Sequence, residues 1–96
     1  MEVILEQGRV LVVLSGEVDA DLSADLADAA HAVTDSGLPV DIDVSAVTFM
    51  DSSGVAFLAR VAGSVTGPAR LLNPPASLRF LLDVTRIGEL VEIVTD

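Results

Sequence analysis

The sequence predicts a small α/β protein: a mixed, mostly parallel β-sheet with alternating helices, opened by an N-terminal hairpin. Three observations carry this expectation. Short Val-, Ile- and Leu-rich segments alternate with segments whose apolar residues recur at helical spacing, from Arg9 to the C-terminus. Strand–helix–strand units of this length imply parallel strands joined by right-handed crossovers. The 96 residues, 51% apolar with mean hydropathy +0.62, suffice for one hydrophobic core and leave no room for a second. Residues 1–96 are therefore read as one domain without linker, internal repeat or low-complexity tract.

Each element has its own local signal. Val3-Ile4-Leu5 and Val10-Leu11-Val12-Val13-Leu14 flank Gln7-Gly8-Arg9, the pattern of two strands around a glycine turn. Because Val10–Leu14 is apolar without alternation, it is expected to be buried on both faces. From Asp21 to Ser36, Leu22, Leu26, Ala29, Ala30 and Val33 form an amphipathic stripe; Asp25, Asp28 and His31 lie outside it, and Gly37 supplies the stop. Val40–Ser45 reads as a strand, Ser53–Thr66 as a helix and Ala69–Asn73 as a strand. Asn73 before Pro74 resembles a helix cap with proline at the first helical position. Leu78, Leu81, Leu82 and Thr85 make the inward stripe of a third helix, and Leu90–Val94 a last strand.

Composition excludes several function classes. With no Cys there are no disulfides, thiolate metal sites or thiol catalysis, and one His leaves no imidazole cluster. With no Lys there is neither a Schiff base nor a GxxxxGK[ST] phosphate loop. Fifteen acids against five Arg give a net charge of −10, the wrong sign for nucleic acid. Apolar runs of about five residues fall far short of the ~20 that span a bilayer, and no signal-peptide pattern opens the chain. A cytoplasmic protein without cofactor, nucleic acid or membrane partner is expected.

In open α/β sheets, ligands and reactions lie beyond the carboxyl ends of the strands, in loops leading into helices. Here these are Gly16-Glu17-Val18-Asp19, Phe49-Met50-Asp51-Ser52-Ser53-Gly54 and Asn73-Pro74-Pro75. The second places two hydroxyls and a glycine behind an acid where a strand hands over to a helix. Asp51 or Ser52 there caps free N–H groups and Gly54 permits close packing. The same helix start, with free donors and the positive dipole end, also tolerates a phosphate.

The segment Val47-Thr48-Phe49-Met50-Asp51-Ser52-Ser53-Gly54-Val55, with Asp43-Val44-Ser45 and Gly16-Glu17-Val18-Asp19 upstream, resembles the STAS domain of bacterial anti-sigma-factor antagonists. The resemblance runs from the first strand to the last, so a STAS-like fold is expected. It implies that Ser52 is phosphorylated by a partner anti-sigma factor that is itself an ATP-dependent serine kinase. Unphosphorylated protein binds that partner and frees a sigma factor; phosphorylated protein does not, and a phosphoserine phosphatase resets it. The antagonist is then a substrate and ligand, not an enzyme, and ATP comes with the partner. Only the resemblance separates Ser52 from Ser53.

Asp19, Asp43 and Asp51 all fall near strand ends. They are read either as the surround of Ser52, orienting its hydroxyl, or as local caps and turn-formers. A three-carboxylate pocket for Mg²⁺ ranks low, because a kinase brings its metal with ATP. On the second helix, Val55, Leu58, Ala62 and Val65 share one face and Ser53, Phe57, Arg60 and Ser64 another. Phe57 is thus expected off the core, either packed under a neighbouring loop or, with Arg60, Ser53 and Glu17, in contact with the partner. His31 is expected on the solvated surface, on the polar face of its helix, with no sequence reason to face Ser52 as a base.

Two departures from the family pattern stand out. The resemblance implies a further helix beyond Val94, where only Thr95 and Asp96 remain; either the domain is minimal or a segment is missing, and absence of the helix would bare a sheet face for a weak dimer or a partner. Arg86 occupies the position where the family commonly ends its third helix with Gly, so the turn is expected later, at Gly88. The alternative function is a STAS interaction module of a transporter or stress-sensing complex, indifferent to charge at position 52. A nucleotide-processing enzyme lacks the Lys, the glycine-rich loop and a positioned base.

Overall fold

The computed structural model describes residues 1–65 and 67–95. Its elements are β1 (Glu2–Glu6), β2 (Arg9–Val18), a 3₁₀ turn (Ala20–Leu22), α1 (Ser23–Ser36), β3 (Val40–Met50), α2 (Ser52–Ser64), β4 (Ala69–Leu72), α3 (Ala76–Thr85), a second 3₁₀ turn (Ile87–Glu89) and β5 (Val91–Val94). The five strands lie in sequence order in one sheet, with β1 antiparallel to β2 and every other pair parallel. The expected α/β class, hairpin and alternation are all present.

The hairpin turns at Gly8, whose φ of +84° costs a residue without Cβ least. Gly37 ends α1 in the same left-handed region, its N–H donating to the Thr34 carbonyl. Each β–α–β crossover steps the same way across the sheet, so right-handed connections lay the helices over one face. Burial reflects this. Val10, Val12, Leu14, Val40, Ile42, Val44, Ala69, Leu71 and Val91 form the sheet's core face, packed against Leu26, Ala29, Ala30 and Val33 of α1, Phe57, Leu58 and Val61 of α2, and Leu78 and Leu82 of α3.

That one-sided cover corrects the expectation for β2. Leu11 and Val13 are only half-buried, because they point to the face that carries no helix. On this face Asp41 is drawn down to 9% exposure by an ion pair with Arg9, and the Arg70 Nε lies 3.5 Å from the same carboxylate oxygen. The register places Leu11, Asp41, Arg70 and Glu92 in one row across four strands, so alternating charges sit side by side.

Several boundaries move. β3 does not stop at Ser45 but runs to Met50, past the end of β4. Its pairing with β2 slips twice, between Asp43 and Ala46 and between Val47 and Phe49, each time with one extra residue in β3. These bulges put Val44, Val47 and Met50 inward at a spacing of three, which conceals the strand from any search for alternation. α2 starts one residue early, at Ser52, and ends at Ser64; Thr66, its expected end, lies outside the described residues.

At α3, Pro75 and not Asn73 is the residue before the helix, and Asn73 takes φ +53° with its N–H bonded to the Val94 carbonyl. Asn73 therefore closes the strand end through its backbone, two residues ahead of the helix's own flanking residue. Leu78 and Leu82 are buried, but Leu81 is half-buried and Thr85 exposed, its hydroxyl turned back onto the Leu81 carbonyl. The turn expected at Gly88 occurs at Arg86 itself, left-handed at φ +64° with its N–H on the Asp83 carbonyl.

Candidate functional site

The parallel pairing of β2 and β3 ends at Val18 beside Met50, so the two chains leave the sheet as neighbours. The Asp51 N–H donates to the Val18 carbonyl at 3.1 Å, tying the second exit to the first. Both exits then begin with a capping aspartate. The Asp19 carboxylate accepts from the Asp21 N–H at 3.0 Å, and the Asp51 carboxylate accepts from the Ser53 N–H at 2.8 Å.

Gly54 decides how closely α2 approaches. It is buried, and a Cβ there would lie 2.4 Å from Met50 Cγ, 2.9 Å from Met50 Sδ and 3.0 Å from Val18 Cγ1. A side chain there would have to displace the Met50 side chain or lift the first turn of α2 off the strand ends. With glycine the turn seats, and Ser52, its first residue, is exposed. Ser53 is half-buried and faces α1 across a groove of about 280 Å³ lined by Ser23, Ala27, Ala30, Ala56, Phe57 and Arg60 among others. The two hydroxyls, equivalent in sequence, are thus unequal in access.

The structure brings Asp19, Asp51, Ser52, Ser53 and Gly54 together and leaves Asp43 out. Asp43 lies eight residues before Asp51 along β3, roughly 25 Å at strand rise. Its carboxylate accepts from the Ser45 N–H at 3.0 Å and the Ser45 hydroxyl at 2.7 Å, a local turn bond at the first bulge. The three-carboxylate pocket does not form, and among the described residues no three His, Asp or Glu side chains are placed to hold a metal ion.

Phe57 is the second correction. It is 4% exposed and belongs to the core, which α2 enters through Gly54, Phe57, Leu58 and Val61; Val55, Ala62 and Val65 are half-buried. The helix is rotated from the phase its apolar residues suggest, because Gly54 must face the strand ends. Arg60 is exposed as expected, its Nη2 3.3 Å from His31 Nε2 on α1. His31 is exposed and faces Arg60 rather than Ser52. Glu17 is exposed beside Phe49 in the β2–β3 register.

Helical spacing singled out Phe57 and passed over the two phenylalanines that the surface does present. Phe49 and Phe80 are 54% and 71% exposed and line one groove beside the start of α2. No local signal marked Phe49, because the bulges that turn Thr48 and Phe49 outward together break the alternation by which a strand is read.

The fold is one found in bacterial regulators. An anti-sigma factor antagonist from Mycobacterium paratuberculosis is similar at TM-score 0.83 and 25% identity, over 96% of this chain and 81% of that one. The anti-sigma factor antagonist SpoIIAA, a Bacillus cell fate determinant, is similar in its unphosphorylated form (TM-score 0.70, 22% identity, 97% and 86% covered) and its phosphorylated form (0.69, 22%, 99% and 91%). A family model described as "Mlab, STAS domain" matches residues 2–92, and the chain belongs to the STAS-domain family. No curated protein matches it in sequence. Among the described residues no helix is long and apolar enough to cross a membrane.

Proposed function

We propose that this chain is an anti-sigma-factor antagonist controlled by phosphorylation of Ser52. Unphosphorylated, it binds an anti-sigma factor that is also a serine kinase and so frees a sigma factor; phosphorylated, it lets that partner go until a phosphoserine phosphatase resets it. The observation that carries this reading is the exposed Ser52 hydroxyl at the first position of α2, beside the half-buried Ser53 whose N–H is already committed to Asp51. The likeness to anti-sigma factor antagonists supports the same role.

The site's chemistry suits a substrate rather than a catalyst. Among the described residues the imidazole is on α1 against Arg60, and the two nearby carboxylates each accept a backbone N–H as caps, with no bond to the Ser52 hydroxyl. A phosphoryl group on Ser52 adds about −1.5 to −2 charges next to Asp51. The helix start tolerates it, since the dipole's positive end lies there. A partner surface fitted to a neutral hydroxyl meets charge, bulk and an unfavourable desolvation, and a loss of about 3 kcal/mol already weakens binding more than a hundredfold. Cytoplasmic location follows from this role.

The test is capture of partners from source-cell lysate on wild-type, Ser52→Ala and Ser52→Glu baits, with the phosphosite mapped by mass spectrometry after incubation with the captured kinase and ATP. A serine kinase retained by the first two and lost on the third, with phosphate at Ser52, supports the switch. Equal retention on all three makes the chain a constitutive STAS interaction module.

A further inference from the structure

We propose that the groove between the free edge of β3 and α3 is a docking site for an extended, apolar, uncharged segment of a protein partner, which adds to the sheet as a strand. The inference goes beyond the switch and does not depend on the state of Ser52.

The backbone states what kind of segment fits. β4 pairs with β3 only over Asp41–Asp43, so from Val44 to Met50 β3 is paired on its β2 side alone. No backbone hydrogen bond from this stretch to any other element is found on the outer side among the described residues. Such an edge is a template for another strand, and natural proteins shield long ones with charge, proline or a covering element. Ser45 to Met50 carries neither charge nor proline. Nor does α3 seal the edge. It stands off and leaves a groove of about 220 Å³ between Val47, Thr48, Phe49 and Met50 on one wall and Ser77, Leu78, Phe80 and Leu81 on the other.

The side chains state its chemistry. Phe49 and Phe80 stand at 54% and 71% exposure on opposite walls, and Val84, one turn beyond Phe80, is 64% exposed. Two of the chain's three phenylalanines are therefore spent on this groove, where apolar contact is of no use to the free protein. The volume is below the roughly 300 Å³ at which pockets enclosing small molecules begin, whereas alternate side chains of a strand need only shallow recesses. No charged residue lines it, while Glu17 and Asp51 flank the end near Phe49, which disfavours an acidic occupant. The net charge of −10 equally disfavours a second copy of this chain.

Displayed random heptapeptides selected on the wild-type protein test the proposal. The expected result is enrichment of uncharged sequences with alternating apolar residues. A selected peptide should shift backbone amide resonances over Ser45–Met50 and Ser77–Val84, and methylation of its alternate backbone nitrogens should weaken it at least tenfold. Phe49→Ala and Phe80→Ala, both at exposed positions, should each weaken it several-fold with unchanged circular dichroism. The proposal is overturned by a selection that enriches nothing over the Phe49→Ala/Phe80→Ala protein, by shifts confined to another surface, or by an N-methylated peptide that binds equally well. It is also overturned, in favour of a self-interface, if the protein alone forms a dimer that Phe80→Glu abolishes.

Discussion

The exits from β2 and β3 are neighbours, both end in Asp, and both cap the helical turn they lead into, yet they are built differently. After Asp19 the chain makes a 3₁₀ turn with no buried residue before α1 begins at Ser23, and Leu22, which precedes the helix, offers no side-chain cap. After Asp51 the helix begins at once and its third residue, Gly54, is wedged on Met50 and Val18. The first exit is a spacer whose exposed residues can vary. The second is a seat, and a hydroxyl on a seated first turn is presented at a fixed position and angle. Such a position is the one to modify if a charge must face a partner without the domain refolding.

The harshest way to break the comparison is to fill the seat. Gly54→Ala should cost about 1–3 kcal/mol, the usual range for overpacking, because its Cβ meets Met50 and Val18 at 3.0 Å or less. Ala20→Ser, in the spacer and exposed, should stay within about 0.5 kcal/mol. Urea unfolding measures both. Adding Met50→Ala to Gly54→Ala should give less than the sum of the single effects, since the methionine supplies the closest contacts. Strict additivity would mean that Gly54 matters for some reason other than this contact.

The contrast between seat and spacer also shows where the sequence was readable. The alternation of strands and helices, the hairpin at Gly8 and the end of α1 at Gly37 are local signals, and the structure obeys them. The run Val55-Ala56-Phe57-Leu58-Ala59 is apolar nearly all round, so its spacing cannot fix which side faces inward. The seating of Gly54 on residues from two strands does, and that contact is invisible from the helix alone. The bulges in β3 hid its last five residues for a similar reason: alternation is lost when extra residues are inserted opposite β2. Arg86 in a left-handed turn defied the expectation of glycine, a cost of roughly 1 kcal/mol that the surrounding packing must carry. Of the site, the Asp51-Ser52-Ser53-Gly54 cluster was legible as a motif, while the distance of Asp43 and the burial of Phe57 depended on strand length and helix phase.

The two caps give a finer test. Asp51→Ala removes the 2.8 Å bond to the Ser53 N–H at a half-buried position and should cost about 1 kcal/mol, as N-cap losses do. Asp19→Ala removes a 3.0 Å exposed bond that starts only a short 3₁₀ turn, and a cost at the low end, about 0.5 kcal/mol, is expected. Thermal melts resolve the pair, since 1 kcal/mol shifts Tm by about 4–8 °C in a domain of this size. Equal effects would remove the distinction between spacer and seat.

The smallest effect expected on stability is at Ser52 itself. Glutamate at the first helical position meets the dipole's positive end, worth about 0.3–1 kcal/mol at low ionic strength, and is opposed by Asp51 beside it. The two nearly cancel, so Ser52→Glu should leave Tm within a few degrees of wild type and lose even that shift in high salt. Amide resonances should move only around Val18–Asp21 and Met50–Phe57, the residues on which the seated turn rests. A protein that instead lost more than about 1 kcal/mol, or shifted throughout β4 and β5, would show that charge at position 52 unseats α2. The switch would then act by loosening the fold. Under the proposed switch, an unmoved fold leaves electrostatics and bulk at the surface as the means of release, which is what a rigid seat for Ser52 favours.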